Sequence, residues 1–152
     1  MTVASVDEHL NRGIRQFNRA HFFDAHESLE DAWNALRGHV PLQHVRRQVQ
    51  GLVQLAVAFH HHSTGNDVGG LSVLKRALRN LRGAEKSFPH LDFDRLRAEL
   101  TSWQQYLERR NLAESKDSTK RSSKAKHEAG DSGGQAAPTL PRIRRRQAST
   151  VR

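Results

Sequence analysis

LQHVRRQVQGLVQLAVAFHHH, residues 42–62, is the stretch that decides the fold. On a helical wheel, its apolar side chains cover an arc of about 160°, which is wider than a helix on the surface of a domain needs. The members of that arc are Val45, Val49, Leu52, Val53, Leu55, Ala56 and Phe59. A helix that is apolar over so much of its circumference packs against several others, so the sequence predicts a central helix in an all-α domain.

The segments on both sides of this helix also have helical spacing, and no clear run of period-two alternation is present. Gly38 with Pro41, Gly65 with Asn66, and Pro89 mark the breaks between helices. The predicted helices cover about residues 6–18, 22–37, 42–62, 67–88 and 93–107. Five helices joined by short loops predict a compact antiparallel bundle.

The charge of the chain is unevenly distributed. The 152 residues include 25 Lys and Arg against 16 Asp and Glu. Residues 1–115 hold 15 basic and 13 acidic side chains, whereas residues 116–152 hold 10 basic and three acidic ones. The latter part has no aromatic residue and few large apolar ones, too few to offset the entropy of ordering it. We therefore expect a helical domain over 1–112 and a disordered basic tail over 113–152.

Several classes of protein are disfavoured by what the sequence lacks. There is no Cys, which removes disulfides and thiolate metal sites. No apolar run is long enough to span a bilayer, and the start of the chain does not resemble a secretory signal. The phosphate-binding, dinucleotide-binding and serine-hydrolase glycine motifs are absent. A cytoplasmic protein without a membrane partner is the expectation, and its oligomeric state stays open.

Residues 22–33, FFDAHESLEDAW, hold the strongest candidate for a functional site. His26 and Glu30 are four residues apart and therefore share a helix face, with Trp33 one turn further along. Glu30 lies between aromatic residues on this face, which predicts a shielded carboxylate paired with His26. In the central helix, His60 falls inside the apolar arc and needs a polar partner, so it could approach His26 and Glu30 if the two helices pack together.

These residues carry a family resemblance. The pattern H-x-x-x-E-x-x-W of His26, Glu30 and Trp33, followed by QGLVQLAVAFH over residues 50–60, resembles the bacterial and archaeal family known as domain of unknown function 309. The resemblance covers roughly residues 10–88. It implies an all-helical bundle with His26, Glu27, Glu30, Trp33 and His60 at the motif positions. The family has no assigned activity, so the resemblance indicates a fold and not a reaction.

Three interpretations of this cluster remain open, one of them a metal-free site that binds a small ligand or catalyses a reaction. His26-Glu27-x-x-Glu30 has the spacing of the zincin motif H-E-x-x-H with Glu30 in place of the second His. His26, Glu30 and His60 would give a divalent metal two nitrogens, one oxygen and an open position, which suits a metal-assisted hydrolase. Alternatively, the same groups form a hydrogen-bond network that orients two helices. The network interpretation makes the chain an interaction module with a groove that binds a peptide or protein.

Other conspicuous residues are weaker candidates. The rings of His60, His61 and His62 should point to different faces, which argues against a joint metal site. Trp33 and Trp103 are predicted to lie in the core. In the tail, the cluster Arg142, Arg144, Arg145 and Arg146 predicts at most weak, salt-sensitive binding of nucleic acid, carried by the tail alone.

Overall fold

The described part of the chain is helical. The structure is a computed structural model, and it describes residues 3–120 and 136–147, with side chains over 5–116 and 136–147. The helices are α1 (Val3–Asn18), α2 (Phe22–Ala35), α3 (Gln43–Ser63), α4 (Asp67–Asn80), α5 (Ala84–Ser87) and α6 (Phe93–Lys120), with a 3₁₀ turn at Val40–Leu42. The all-α class is confirmed, and the predicted breaks after the first, second and third helices lie where the structure has them.

The fourth predicted helix is divided in two. Helix α4 ends at Asn80, and the short helix α5 follows after Gly83, which has a left-handed φ of 79°. That conformation suits glycine, since a residue with a side chain adopts it at a cost. The chain therefore turns at Gly83 although the apolar spacing continues past it.

The helices pack as a series in chain order. Helix α1 packs on α2, α2 on α3, α3 on α4, and α4 on α6. Helix α3 lies inside this series, and its buried side chains include Val49, Leu52, Leu55 and Phe59. The prediction that α3 is the central helix is confirmed.

Glycines allow the helices to cross closely, two of them against leucine side chains. A Cβ added at Gly13 of α1 would lie 2.5 Å from Leu29 Cγ of α2, and one at Gly51 of α3 would lie 2.9 Å from Leu81 Cγ. Gly51 also faces the Ala77 carbonyl of α4, at 3.2 Å from the added Cβ. Backbone atoms yield less readily than side chains, so a side chain at position 51 would push α3 and α4 slightly apart.

Part of the predicted tail has a defined structure. Helix α6 continues to Lys120, and residues 136–147 run as an extended segment against the domain. Within the expected tail of 113–152, residues 113–120 and 136–147 thus have a described conformation. Residues 136–147 are anchored by Pro141 and Ile143, which are buried, with Ile143 only 4% exposed. The remainder of that expectation, over 121–135 and 148–152, lies outside the described residues.

No helix within residues 3–120 is long and apolar enough to cross a membrane.

Candidate functional site

The His26–Glu30 pair forms as the spacing predicts. His26 Nε2 lies 3.0 Å from Glu30 Oε2 on α2. The side chains are 29% and 46% exposed, respectively, so the predicted shielding of the Glu30 carboxylate is not found. The flanking aromatic residues explain the difference, because Phe23 is exposed and Trp33 is only half-buried. The pair is a surface ion pair or hydrogen bond rather than a buried network.

Phe23 relates this pair to His60. The Phe23 ring centroid lies 6.2 Å from the ring of His26 and 5.7 Å from the ring of His60. Phe23 is 54% exposed and helps to line a cavity of about 320 Å³ together with His21, Asp24 and His60. Helices α2 and α3 thus bring His26 and His60 to the same aromatic ring.

Three metal ligands are not assembled at this cluster. No group of three His, Cys, Asp or Glu side chains is placed to hold a metal ion within the described residues. His26 and Glu30 together supply two donors, and His60 makes its ring contact with Phe23. Glu27 is exposed on α2 and belongs neither to the His26–Glu30 pair nor to the His60–Phe23 contact.

Trp33 contributes to a different, basic cavity. The Arg46 guanidinium lies 3.9 Å from the centroid of the Trp33 ring, and its Nε donates to the Trp33 carbonyl at 3.2 Å. A cavity of about 370 Å³ lies beside this stack, lined also by Arg47 and Gln50. The stack holds Arg46 by a cation–π contact and a hydrogen bond at once. Trp33 therefore packs against the edge of the core, whereas Trp103 is fully buried as predicted.

A second polar cluster connects α3, α4 and α6. His62 Nδ1 lies 2.6 Å from Asp67 Oδ1, and Arg110 Nε lies 2.8 Å from Asp67 Oδ2. Asp67 is 6% exposed, so two basic groups compensate a buried carboxylate. The interaction with the Tyr106 hydroxyl, and after it the attraction of Asp67, raises the pKa of Arg110.

Sequence reasoning missed this Asp67 cluster. Its signal in the sequence was His62, the last of three consecutive histidines. The helix period turns the His62 ring away from the His60 ring, as predicted. His62 instead contacts Trp103, with the ring centroids 4.9 Å apart. Its partner Asp67 was visible only as a residue at the start of a helix.

The C-terminal segment is held on the domain through its backbone. The Asn18 side-chain amide donates to the Ile143 carbonyl at 2.9 Å and accepts from the Ile143 N–H at 2.7 Å. The Trp103 indole N–H donates to the Thr139 carbonyl at 2.9 Å. On the far side, the Asp92 N–H donates to the Arg144 carbonyl at 2.9 Å, and the Arg146 N–H donates to the His90 carbonyl at 2.7 Å. These last two bonds flank an antiparallel bridge between Leu91 and Arg145.

We call the surface that receives this segment the tail groove. It is formed by Asn18 of α1, residues 90–92, and Asp94, Glu99 and Trp103 of α6. Because the groove joins α1 to α6, the segment connects the first and last helices of the packing series.

The four arginines of the predicted nucleic-acid cluster divide into two pairs. Arg144 is ion-paired with Glu99, and Arg146 Nη2 lies 3.3 Å from Asp94 Oδ2. Arg142 and Arg145 are exposed, and neither has an ion-pair partner among the described residues. Half of the cluster thus faces carboxylates of the domain.

A helical bundle with a small polar surface site and a segment-binding groove is the class of protein that these features define. Residues 10–73 match the family model described as "Domain of unknown function (DUF309)". The resemblance predicted from His26, Glu30, Trp33 and residues 50–60 is thereby confirmed. The tail groove draws on residues outside this match, with Asn18 as the exception.

Two curated bacterial relatives are similar to this chain. An uncharacterized protein of Aquifex aeolicus is 29% identical over 84 residues, which are 55% of this chain and 24% of the relative. The uncharacterized protein YpuF of Bacillus subtilis is 30% identical over 73 residues, which are 48% of this chain and 40% of the relative. The matched part is thus less than half the length of either relative. No solved structure gives a significant match.

Proposed function

We propose that this chain is an interaction module whose helical domain binds an extended basic segment, and that residues 136–147 are its ligand in cis. The observation that carries the proposal is the pair of hydrogen bonds from Asn18 to both backbone groups of Ile143. One amide that satisfies the N–H and the C=O of the same residue recognises an extended backbone, as in the addition of a strand to an exposed edge.

The groove also distinguishes side chains. Successive side chains of an extended chain point in opposite directions, and here Pro141 and Ile143 are buried while Arg142 is exposed. Glu99 and Asp94 add charge complementarity for Arg144 and Arg146. These contacts favour a ligand with a proline and a branched apolar residue two positions apart, followed by basic residues.

Attachment in the same chain gives the segment an advantage over ligands in solution. A tethered ligand has an effective concentration in the millimolar range when its linker has a suitable length. A segment of the same pattern on a partner protein would therefore bind only after residues 136–147 leave the groove. Residues 136–147 thus compete with segments of partner proteins for the tail groove.

Metal-assisted hydrolysis is the other function that the His26-Glu27-x-x-Glu30 spacing suggested. His26 and Glu30 supply two donors, and a catalytic zinc site ordinarily has three protein ligands. The Asn18 contacts support binding directly, so we base the proposal on the groove and assign no reaction to the His26–Glu30 pair.

Binding of a peptide in trans tests the proposal. The receptor is the full chain carrying Ile143→Asp, which buries an unpaired charge if the segment stays in the groove and so releases it. The probe is a fluorescent peptide of residues 136–147, followed by anisotropy. We expect the I143D chain to bind this probe at least tenfold more tightly than the wild-type chain, whose own segment occupies the groove.

A second receptor controls for non-specific attraction of the basic peptide. Adding Asn18→Ala to the I143D chain removes both backbone contacts and leaves Glu99 and Asp94 in place. Equal affinity of the probe for the receptors with and without Asn18 would contradict the proposal, since attraction of charge alone would then explain the binding.

A further inference from the structure

We propose that the phosphate backbone of a nucleic acid competes with the tail groove for Arg144 and Arg146, so that docking of residues 136–147 limits nucleic-acid binding by this chain. The inference rests on the proposed function, because it needs the docked segment, and it adds the class of ligand that releases it. The arginine cluster of residues 142–146 can pair with two kinds of anion, namely the carboxylates that it contacts in the structure and the phosphates of a nucleic acid.

The docked segment presents only part of its charge to solvent. Arg142 and Arg145 are exposed, whereas the guanidinium of Arg144 is 30% exposed and engaged by Glu99, itself 22% exposed. A guanidinium that donates to a carboxylate has part of its positive charge compensated there, so it attracts a phosphate less strongly than a free guanidinium does. Of the four arginines of this segment, two therefore lack a carboxylate partner among the described residues while the segment is docked, and release frees the other two.

The two ion pairs differ in strength. The Arg146–Asp94 pair is 55% and 72% exposed, so solvent and salt screen it and a phosphate displaces it readily. The Arg144–Glu99 pair is better shielded, and it lies next to Ile143 and the Asn18 contacts. Release of Arg146 alone leaves the apolar anchor in place, whereas use of Arg144 requires the segment to leave.

The coupling follows from differential affinity. A nucleic acid that binds the released segment through more phosphates than it binds the docked segment must shift the equilibrium toward release. Each additional phosphate contact on duplex DNA steepens the dependence of log K on log salt by about 0.9. Two additional contacts therefore predict a slope steeper by about 1.8 when both arginines are free.

Neutralising the two groove carboxylates tests this directly. The full chain with Asp94→Asn and Glu99→Gln has no carboxylate to hold Arg146 or Arg144. The matched control is the chain with Glu8→Gln and Asp31→Asn, which removes the same net charge from exposed positions on α1 and α2. The probe is a mixed-sequence 20-base-pair duplex, with affinity measured between about 50 and 200 mM salt.

We expect the D94N/E99Q chain to bind the duplex several-fold more tightly than the E8Q/D31N control at the lowest salt. Its slope should be steeper, by up to about 1.8, because in the wild-type chain the duplex reaches Arg144 and Arg146 only where the segment has left the groove. The control should keep the wild-type slope because it frees no arginine. Equal affinities and slopes for the two variants would overturn the inference, since net charge alone would then account for any gain.

The NMR spectrum of the wild-type chain distinguishes release of residues 136–147 from binding of the duplex to the docked segment. The Trp103 indole N–H reports docking because it donates to the Thr139 carbonyl, and Trp33 supplies a second indole resonance for reference. We expect the duplex to move the Trp103 resonance toward its position in the I143D chain. Binding of the duplex with an unmoved Trp103 resonance would overturn the inference and leave the groove intact. Failure of I143D itself to shift Trp103 would instead refute the proposed function.

Discussion

Ile143 is the residue on which docking of the C-terminal segment depends most. It is 4% exposed, and Ile143→Ala would remove three buried carbon atoms. At about 0.8 kcal/mol for each buried methylene-sized group, the docked state loses about 2.4 kcal/mol. Since 1.4 kcal/mol corresponds to a factor of ten, the population of the released segment should rise by roughly 50-fold.

Limited proteolysis with trypsin measures that population. The segment contains cleavage sites at Arg142, Arg144 and their neighbours, and the cleavage rate follows the open population when opening and closing are faster than cleavage. Cleavage after Arg97, which is bonded to the Leu81 carbonyl and Glu85, reports global unfolding in the same digestion. We expect a large increase at the segment in the I143A chain and little change at Arg97.

Leu140→Ala is the matched control, because it also removes three carbon atoms from the same segment. Leu140 is 37% exposed, so its truncation loses about 1.5 kcal/mol of burial and should accelerate cleavage by roughly tenfold, well below the effect of I143A. Equal cleavage of the I143A, L140A and wild-type segments would refute the reasoning, because burial of Ile143 would then not determine docking.

Three further predictions concern the helical domain and are measured by urea unfolding of single variants. His26→Ala should cost about 0.3–0.5 kcal/mol or less, because its bond to Glu30 is an exposed i,i+4 pair; a loss above 1 kcal/mol would show that the pair is a structural element. Asp67→Asn should cost about 2–3 kcal/mol, since it discharges a buried carboxylate that faces His62 and Arg110; a neutral effect would contradict its role in joining α3, α4 and α6. Gly51→Ala should cost about 1–2 kcal/mol although alanine has the better helix propensity, because the new Cβ meets Leu81 and a backbone oxygen. A gain in stability would show that the helices move apart freely.

The helices could be predicted from the sequence because their determinants are local. The apolar arc of residues 42–62 encodes a buried helix, and the structure has α3 at Gln43–Ser63. The break at Gly65 and Asn66 could be identified as well, and the Asn66 side chain accepts from the Gly69 N–H at 3.0 Å. The break at Gly83 could not be identified, because the apolar spacing continues past this residue and one glycine does not by itself end a helix.

The candidate site was predictable in part for the same reason. The His26–Glu30 bond depends on i,i+4 geometry within α2, which the sequence specifies. Exposure of Glu30 depends on where Phe23 and Trp33 lie relative to other helices, which the period of α2 does not determine. Likewise, the position of His60 against Phe23 follows from the packing of α2 on α3.

The tail groove escaped prediction because composition was averaged over the whole tail. A long basic stretch with few apolar residues is typical of disorder, but Pro141 and Ile143 are concentrated within a few positions. A short apolar cluster can dock on a preformed surface even where its surroundings cannot form a core. The signal in the sequence was therefore the local spacing of Pro141 and Ile143 and not the overall charge.

Trp103 explains why the groove is ready to receive the segment. Its ring is 1% exposed and lies between Phe59, at 5.2 Å, and His62, at 4.9 Å between ring centroids. His62 is in turn held by Asp67, so the indole N–H points at the Thr139 carbonyl from a side chain that the core has already fixed. Because the receptor side needs little ordering, the entropy cost of docking falls mainly on the segment itself. A ligand that favours the released segment thus competes with the contacts of a single strand of chain, while the helical domain stays folded.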